Sequence, residues 1–153
     1  MPIPFDAPQG EFPLTSMIPR VVLDTNVVLD WLLFGDSSVA ALAAAIERRQ
    51  VRWLATPSMR DELTHVLERG LAAARGADTA AILSGWEAHA AELPQASPQA
   101  LRCSDAEDQK FVDLALGARA RWLVSRDRAV LRLARRAAPM GTLILTPQRW
   151  LPQ

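Results

Sequence analysis

The chain has 153 residues, half of them apolar, with 17 basic and 17 acidic side chains and a formal net charge of zero. That length makes one domain with enough apolar material for a core, and the balanced charge excludes a global basic field announcing nucleic acid. Charge is uneven along the chain: residues 1–102 carry 8 Arg against 12 Asp and Glu, and residues 103–153 carry 8 Arg and Lys110 against 5 Asp and Glu, so a −4 segment precedes a +4 one.

Cys103 is the only cysteine, which rules out an internal disulfide and fits a reducing, cytoplasmic compartment. With only His65 and His89 to serve it, a catalytic thiol is not expected. No apolar run reaches membrane-spanning length, and the start lacks a basic segment followed by an apolar core, so no secretory signal is expected.

Residues 1–18 are polar and rich in proline and read as a flexible tail, with residues 19–153 as the folded domain. Met17, directly before the first apolar run, is a candidate natural start. Arg20–Leu23 (RVVL) predicts a buried strand. Asn26–Leu33 predicts a helix, since Val27, Val28, Trp31 and Leu32 share a face. Gly35 stops it, and Asp36, Ser37 and Ser38 offer the cap of a helix over 38–48. That Ala-rich helix is a candidate partner or dimer surface, with a core helix as the default.

Val51–Ala55 predicts a second strand. Pro57 and Ser58 open a helix with Ser58 and Asp61 in capping-box spacing; Gly70 and Gly76 loosen its continuation, and a helix resumes over 78–92. Residues 94–98 read as a loop. Ser104 or Asp105 caps a helix to about Leu116 with Phe111, Leu114 and Ala115 inward. Trp122–Ser125 is a third strand, Asp127 starts another helix, and Thr142–Leu145 is a fourth strand. Short apolar runs separated by helices indicate a parallel sheet covered on both faces, a three-layer α/β/α sandwich. Trp53 and Trp122 lie in strands and read as core rather than as base-stacking platforms; Trp86 and Trp150 stay open.

Four acids stand at element ends: Asp24 after the first strand, Glu62 a turn into the helix after the second, Asp108 in the first turn of the helix leading to the third, and Asp127 just after the third. In a parallel sheet all four reach one rim, where ligands of open α/β sheets bind. Each has a plain structural reading. Asp24 could close a turn, Asp127 could cap a helix, Asp105, Glu107 and Asp108 suit the positive end of a helix dipole, and Glu62 could be a solvated acid. Together they form an oxygen-only ligand set of the kind that suits Mg²⁺ or Mn²⁺, and without a cation their mutual repulsion raises a pKa.

The segments VVLDTNVVL (21–29), PSMRDEL (57–63), DAEDQKFVDLAL (105–116) and LVSRD (123–127), with TPQRWL near the end, resemble the PIN-domain family, closest in style to toxin components of bacterial toxin–antitoxin pairs. The resemblance covers about residues 20–151. It implies a PIN-like fold with a central sheet of four to five strands, for whose further short strand the 99–103 stretch is the candidate. It also implies a Mg²⁺- or Mn²⁺-dependent endoribonuclease acting on RNA, with a cognate antitoxin and a homodimer as candidate partners. By the same resemblance Asp24, Glu62, Asp108 and Asp127 are the catalytic, metal-holding acids, with Asp105, Asn26 and Ser125 beside them. Glu107 and Gln109 stand where relatives often have more Asp. Arg126, Arg128 and Arg121 are candidates for steering phosphates, with solvated charge as the equal alternative.

Other readings compete. A haloacid-dehalogenase-type phosphohydrolase needs a second Asp two residues after the first, where Asn26 stands. A receiver domain needs a strand-end Lys, and Lys110 lies within a helix. No Gly-rich phosphate loop is present. An interaction module with an inactive rim is the non-enzyme alternative, separated from the others by metal titration.

Overall fold

The computed structural model describes residues 18–71 and 74–151. Apart from Ile18, the expected tail and Met17 lie outside these residues. Five short strands form one parallel sheet: β1 (Arg20–Leu23), β2 (Arg52–Ala55), β3 (Ala90–Glu92), β4 (Trp122–Val124) and β5 (Leu143–Leu145), in the order β3-β2-β1-β4-β5. The helices are α1 (Thr25–Leu32), α2 (Ala40–Glu47), α3 (Pro57–Val66), α4 (Thr79–His89), α5 (Gln109–Gly117), α6 (Arg128–Leu131) and α7 (Ala134–Ala137). From β1 the chain steps outward to β2 and β3, then returns to the other side of β1 for β4 and β5. Right-handed crossovers put the helices of the first half on one face and those of the second half on the other.

The strands are apolar runs because both faces are covered. Val21, Val22, Leu23, Leu123 and Val124 are essentially inaccessible. On the first-half face Trp53 is wedged between Trp31, with ring centroids 5.4 Å apart, and Trp86, edge-on at 4.9 Å. Trp122 meets Trp150 edge-on at 5.5 Å. Trp53 and Trp122 are therefore core, as expected, and Trp86 and Trp150 are core as well. The Ala-rich helix α2 also turns its apolar residues, Leu42, Ala43, Ala45 and Ile46, into the core.

The fifth strand is not the 99–103 stretch. The expected helix over 78–92 ends at His89, and Ala90–Glu92 turns extended to add an edge strand to β2. The backbone of 99–103 is held instead by two side chains of α5. Gln109 accepts from the Cys103 N–H at 2.6 Å and donates to the Leu101 carbonyl at 2.9 Å and to Asp113 at 2.8 Å, while Asp113 accepts from the Gln99 N–H at 2.9 Å. Peptide groups bonded in this way have no need of a neighbouring strand. The cap expected from Ser58 and Asp61 is likewise replaced. Thr56 precedes α3 without a side-chain cap, Pro57 opens the helix, and the Ser58 hydroxyl bonds Thr56 and Gln95. The helix expected after Asp127 is split into α6 and α7, and Gly141, at φ 97, turns the chain into β5.

Because Gln109 is buried, removing its amide strands three partners. Gln109→Ala is expected to cost about 2–3 kcal/mol of stability, read as a lower urea midpoint, with faster hydrogen exchange at the Cys103 amide than in the strands.

Candidate metal centre at the carboxyl rim of the sheet

The strand order reverses between β1 and β4, so the crevice outside their carboxyl ends is the place where open α/β sheets bind ligands. Asp24 leaves β1 there and caps α1, accepting the Val27 N–H at 3.0 Å. Asp127 follows β4 and caps α6, accepting the Ala129 N–H at 2.8 Å. The capping role and the rim position go together: both carboxylates are oriented by a helix start. Between them lies Ser125, fully buried, which donates its hydroxyl to Asp24 and accepts the Asp127 N–H at 2.9 Å.

Asp105, Asp108 and Asp127 bring one carboxylate oxygen each to within 4.8 Å of one another. Asp105 caps the turn Ala106–Asp108 through the Glu107 N–H, which delivers Asp108 to the start of α5. Oδ2 of Asp108 is buried and has no hydrogen-bond partner among the described residues. Burial first, then the facing Asp127 carboxylate, and then the charges of Asp105 and Asp24, push the Asp108 carboxyl up to about 7. Asp24, 4 % exposed, is also raised, chiefly by burial and further by Asp127; the Ser125 hydroxyl and the Val27 and Arg126 N–H groups oppose the shift.

Glu62 stands one step aside. Its Oε2 accepts from the Thr25 hydroxyl at 2.5 Å and its Oε1 pairs with the Lys110 ammonium, which also donates to the Glu107 carbonyl at 2.5 Å. Asn26 is exposed in the first turn of α1. Among the arginines, Arg126 is engaged by the fold: it donates to Asp30 at 2.6 Å, Ser38 at 2.5 Å and Gln148 at 3.4 Å, tying the end of β4 to the first-half helices and the last turn. Arg128 is exposed beside Asp127. Arg121 precedes β4 and stacks on Trp122, 5.4 Å from the ring centroid, so it lies at the opposite end of the strand from Asp127 and is removed from the steering set. Cys103 is buried and its thiol is pushed up, mainly by that burial, which disfavours a nucleophilic thiolate.

Lys110, Thr25, Gln109 and Asp113 are the rim and support residues that local sequence reasoning overlooks. Lys110 and Thr25 meet Glu62 only through tertiary packing. Gln109 and Asp113 did carry a signal: two polar residues at i, i+4 on the inward face of an apolar helix.

The donor set suits a hard divalent cation. All its atoms are carboxylate oxygens, their charges are uncompensated, and one buried oxygen is unpartnered.

The family model described as PIN domain matches residues 20–129, and the chain belongs to that family, whose members are generally nucleases. Among solved structures, a chain of VapBC2 from Rickettsia felis, determined bound to a DNA fragment from their promoter, superposes with a TM-score of 0.54 at 12 % identity, covering 82 % of this chain and 96 % of that one. The likeness is one of fold. No curated protein sequence matches.

A raised carboxyl binds its proton more tightly in the folded state than in the unfolded one. Metal-free stability is therefore expected to fall as pH rises from about 4 towards 7 and to level off above the Asp108 value of about 7. In chelator at pH 8, Asp108→Asn should melt about 2–4 °C above the parent, the shift that about 1 kcal/mol gives a domain of this size, and its melting temperature should depend less on pH. Calorimetry from pH 4 to 8 checks both.

Proposed function

We propose that this protein is a Mg²⁺- or Mn²⁺-dependent endoribonuclease and the toxin of a toxin–antitoxin pair, acting in the cytoplasm. The observation that carries the catalytic part is the convergence of the Asp105, Asp108 and Asp127 carboxylates at the rim, together with a buried Asp108 Oδ2 that has no hydrogen-bond partner among the described residues. Membership of a family generally made of nucleases supports it. The pairing with an antitoxin is supported by the likeness to a chain of the VapBC2 complex. The cellular setting is supported by the free thiol of Cys103, which suits a reducing compartment.

Asp108 and Asp127 would hold the cation, with Asp24 beneath them and Asp105 at the open side. When bound, a divalent cation supplies a water acidic enough to ionise near neutral pH and offsets charge building on phosphate oxygens. The protein's own part is positional. Ser125 and the Val27 N–H fix the Asp24 carboxylate, the Ala129 N–H of α6 fixes Asp127, and the Asp105-capped turn fixes Asp108, whose carboxyl is pushed up to about 7. Lys110 offsets the charge of Glu62 and holds it against Thr25, so Glu62 serves as an outer acid that reaches the centre through water. Arg128, exposed beside Asp127, is the candidate for meeting the substrate backbone. Bare carboxylates repel RNA, so cation and substrate bind together or in that order.

Asp24→Asn and Asp127→Asn keep an acceptor for the caps and should fold as the parent does. Each is expected to lose at least about 100-fold in Mn²⁺-dependent cleavage, as removal of a group stabilising transition-state charge does. Cleavage of labelled RNA, read beside circular dichroism, checks this; parental rates in either folded variant contradict the reading. Hydrolysis of a phosphomonoester without RNA cleavage would point instead to a phosphohydrolase.

A further inference from the structure

At the opposite, amino rim of the sheet, arginines from four segments converge. Arg20 opens β1 and Arg52 opens β2, and they are register partners on adjacent strands, about 4.8 Å apart along the hydrogen-bonding direction. Arg49 and Arg119 lie in the turns that lead from α2 into β2 and from α5 into β4. Both occupy the second position past the helix end in the left-handed region, at φ 62 and φ 55, and they are the non-glycine residues with positive φ among those described. Glycine is the usual occupant of that position. The helix dipole favours a cation at this end, but any residue of the last turn could provide one without a strained backbone. Non-glycine residues held in this region cluster at functional sites, and here two of them, in separate turns, face one rim.

These charges are not balanced locally. None of the four arginines makes an ion pair among the described residues. Arg20 donates to the Ala118 carbonyl at 2.7 Å. Burial, and then the neighbouring Arg52 and Arg119 charges, lower its guanidinium pKa. A cavity of about 400 Å³ opens here, lined by Arg49, Arg52 and His89, with Glu47 as its one acid and Ile46 and Val51 among its apolar walls. The acids of the carboxyl rim do not neutralise it. The four residues of β1 span about 13 Å, so those acids lie beyond ion-pairing distance of these guanidinium groups.

We propose that this amino rim is a second binding site, formed by Arg20, Arg49, Arg52 and Arg119, whose ligand is the phosphate backbone of a nucleic acid. Planar guanidinium forks match phosphate oxygens two at a time, and a row of them spread over adjacent strands suits a repeating polyanion better than one small anion. The choice of nucleic acid rests on the ribonuclease reading above. The site holds the substrate at a distance from the reacting bond, so its loss is expected to raise KM and leave kcat unchanged.

The test is the double variant Arg49→Gly/Arg119→Gly, compared with the parent for binding of a labelled single-stranded RNA in chelator, by fluorescence anisotropy. Glycine suits both left-handed positions, so the variant should melt at or above the parental temperature. At about 100 mM salt its affinity should fall roughly tenfold, and the slope of log K against log salt should become shallower by about 1.4, as expected when two phosphates are no longer neutralised. Unchanged affinity and slope overturn the proposal. So does polyglutamate that binds the parent as tightly as RNA, or binding to phosphatidylserine vesicles without binding to RNA. If the variant loses RNA binding but the parent cleaves no RNA with Mn²⁺, the site stands and the ribonuclease reading falls. If the parent cleaves RNA and the variant binds it as the parent does, the ribonuclease reading stands and the site falls.

Discussion

The hydroxyl of Ser125 joins the Asp24 carboxylate to the backbone amide of Asp127, two residues whose charges electrostatics would drive apart. β1 and β4 are parallel neighbours at the centre of the sheet, and the reversal of strand order leaves a crevice between their ends. Asp24 and Asp127 therefore reach the same place whatever their charges prefer. Ser125 resolves the geometry by donating to one and accepting the backbone of the other. Asp24 is thereby sunk beneath the rim, while Asp127 faces outward towards Asp108 and Asp105. The result is a polar floor with an acidic mouth, and the carboxyls of Asp24 and Asp108 are raised first by burial and then by the acids that face them. A fold that keeps such repulsion gives up stability at its site, a common exchange where function requires it.

Much of this was legible from residue order. Apolar runs of four residues flanked by Gly, Pro and polar turns mark buried parallel strands, and acids directly after two of them mark the rim. Ala90–Glu92 escaped because Ala-Ala-Glu continues a helical pattern and has little strand propensity; it is extended only because the edge of β2 offers it partners. The 99–103 stretch misled for the converse reason. Its composition permits a strand, but Gln109 and Asp113 take its peptide groups first. Of the four acids expected at the rim, Asp108 and Asp127 converge, with Asp105 as the third member of the cluster; the separation of Glu62 was not readable, since Lys110 and Thr25 find it only in three dimensions. Arg121 is near Asp127 in sequence but not in space, because the whole of β4 lies between them.

Net charge along the chain is also a poor guide to charge in space. The basic excess of residues 103–153 suggests a positive second half. In the folded protein three of the four amino-rim arginines, Arg20, Arg49 and Arg52, come from the acidic first half, because a parallel sheet gathers every strand start at one end. The same topology gathers strand ends, and their acids, at the other. Among the described residues, a group of acids thus stands at one rim and a group of arginines at the other, each drawn from positions distant in sequence. The proposed cation site and the proposed phosphate site are held apart by the length of the sheet.

Anomalous diffraction from a crystal soaked in Mn²⁺ tests the central claim most directly. The account predicts a peak between Asp108 and Asp127, at about 2.0–2.3 Å from Oδ2 of Asp108, the range of divalent cation–carboxylate bonds, with Glu62 still paired to Lys110. A well-diffracting soak with no peak at that oxygen, or with Glu62 swung from Lys110 to ligate a cation while Asp108 stays unbound, contradicts it.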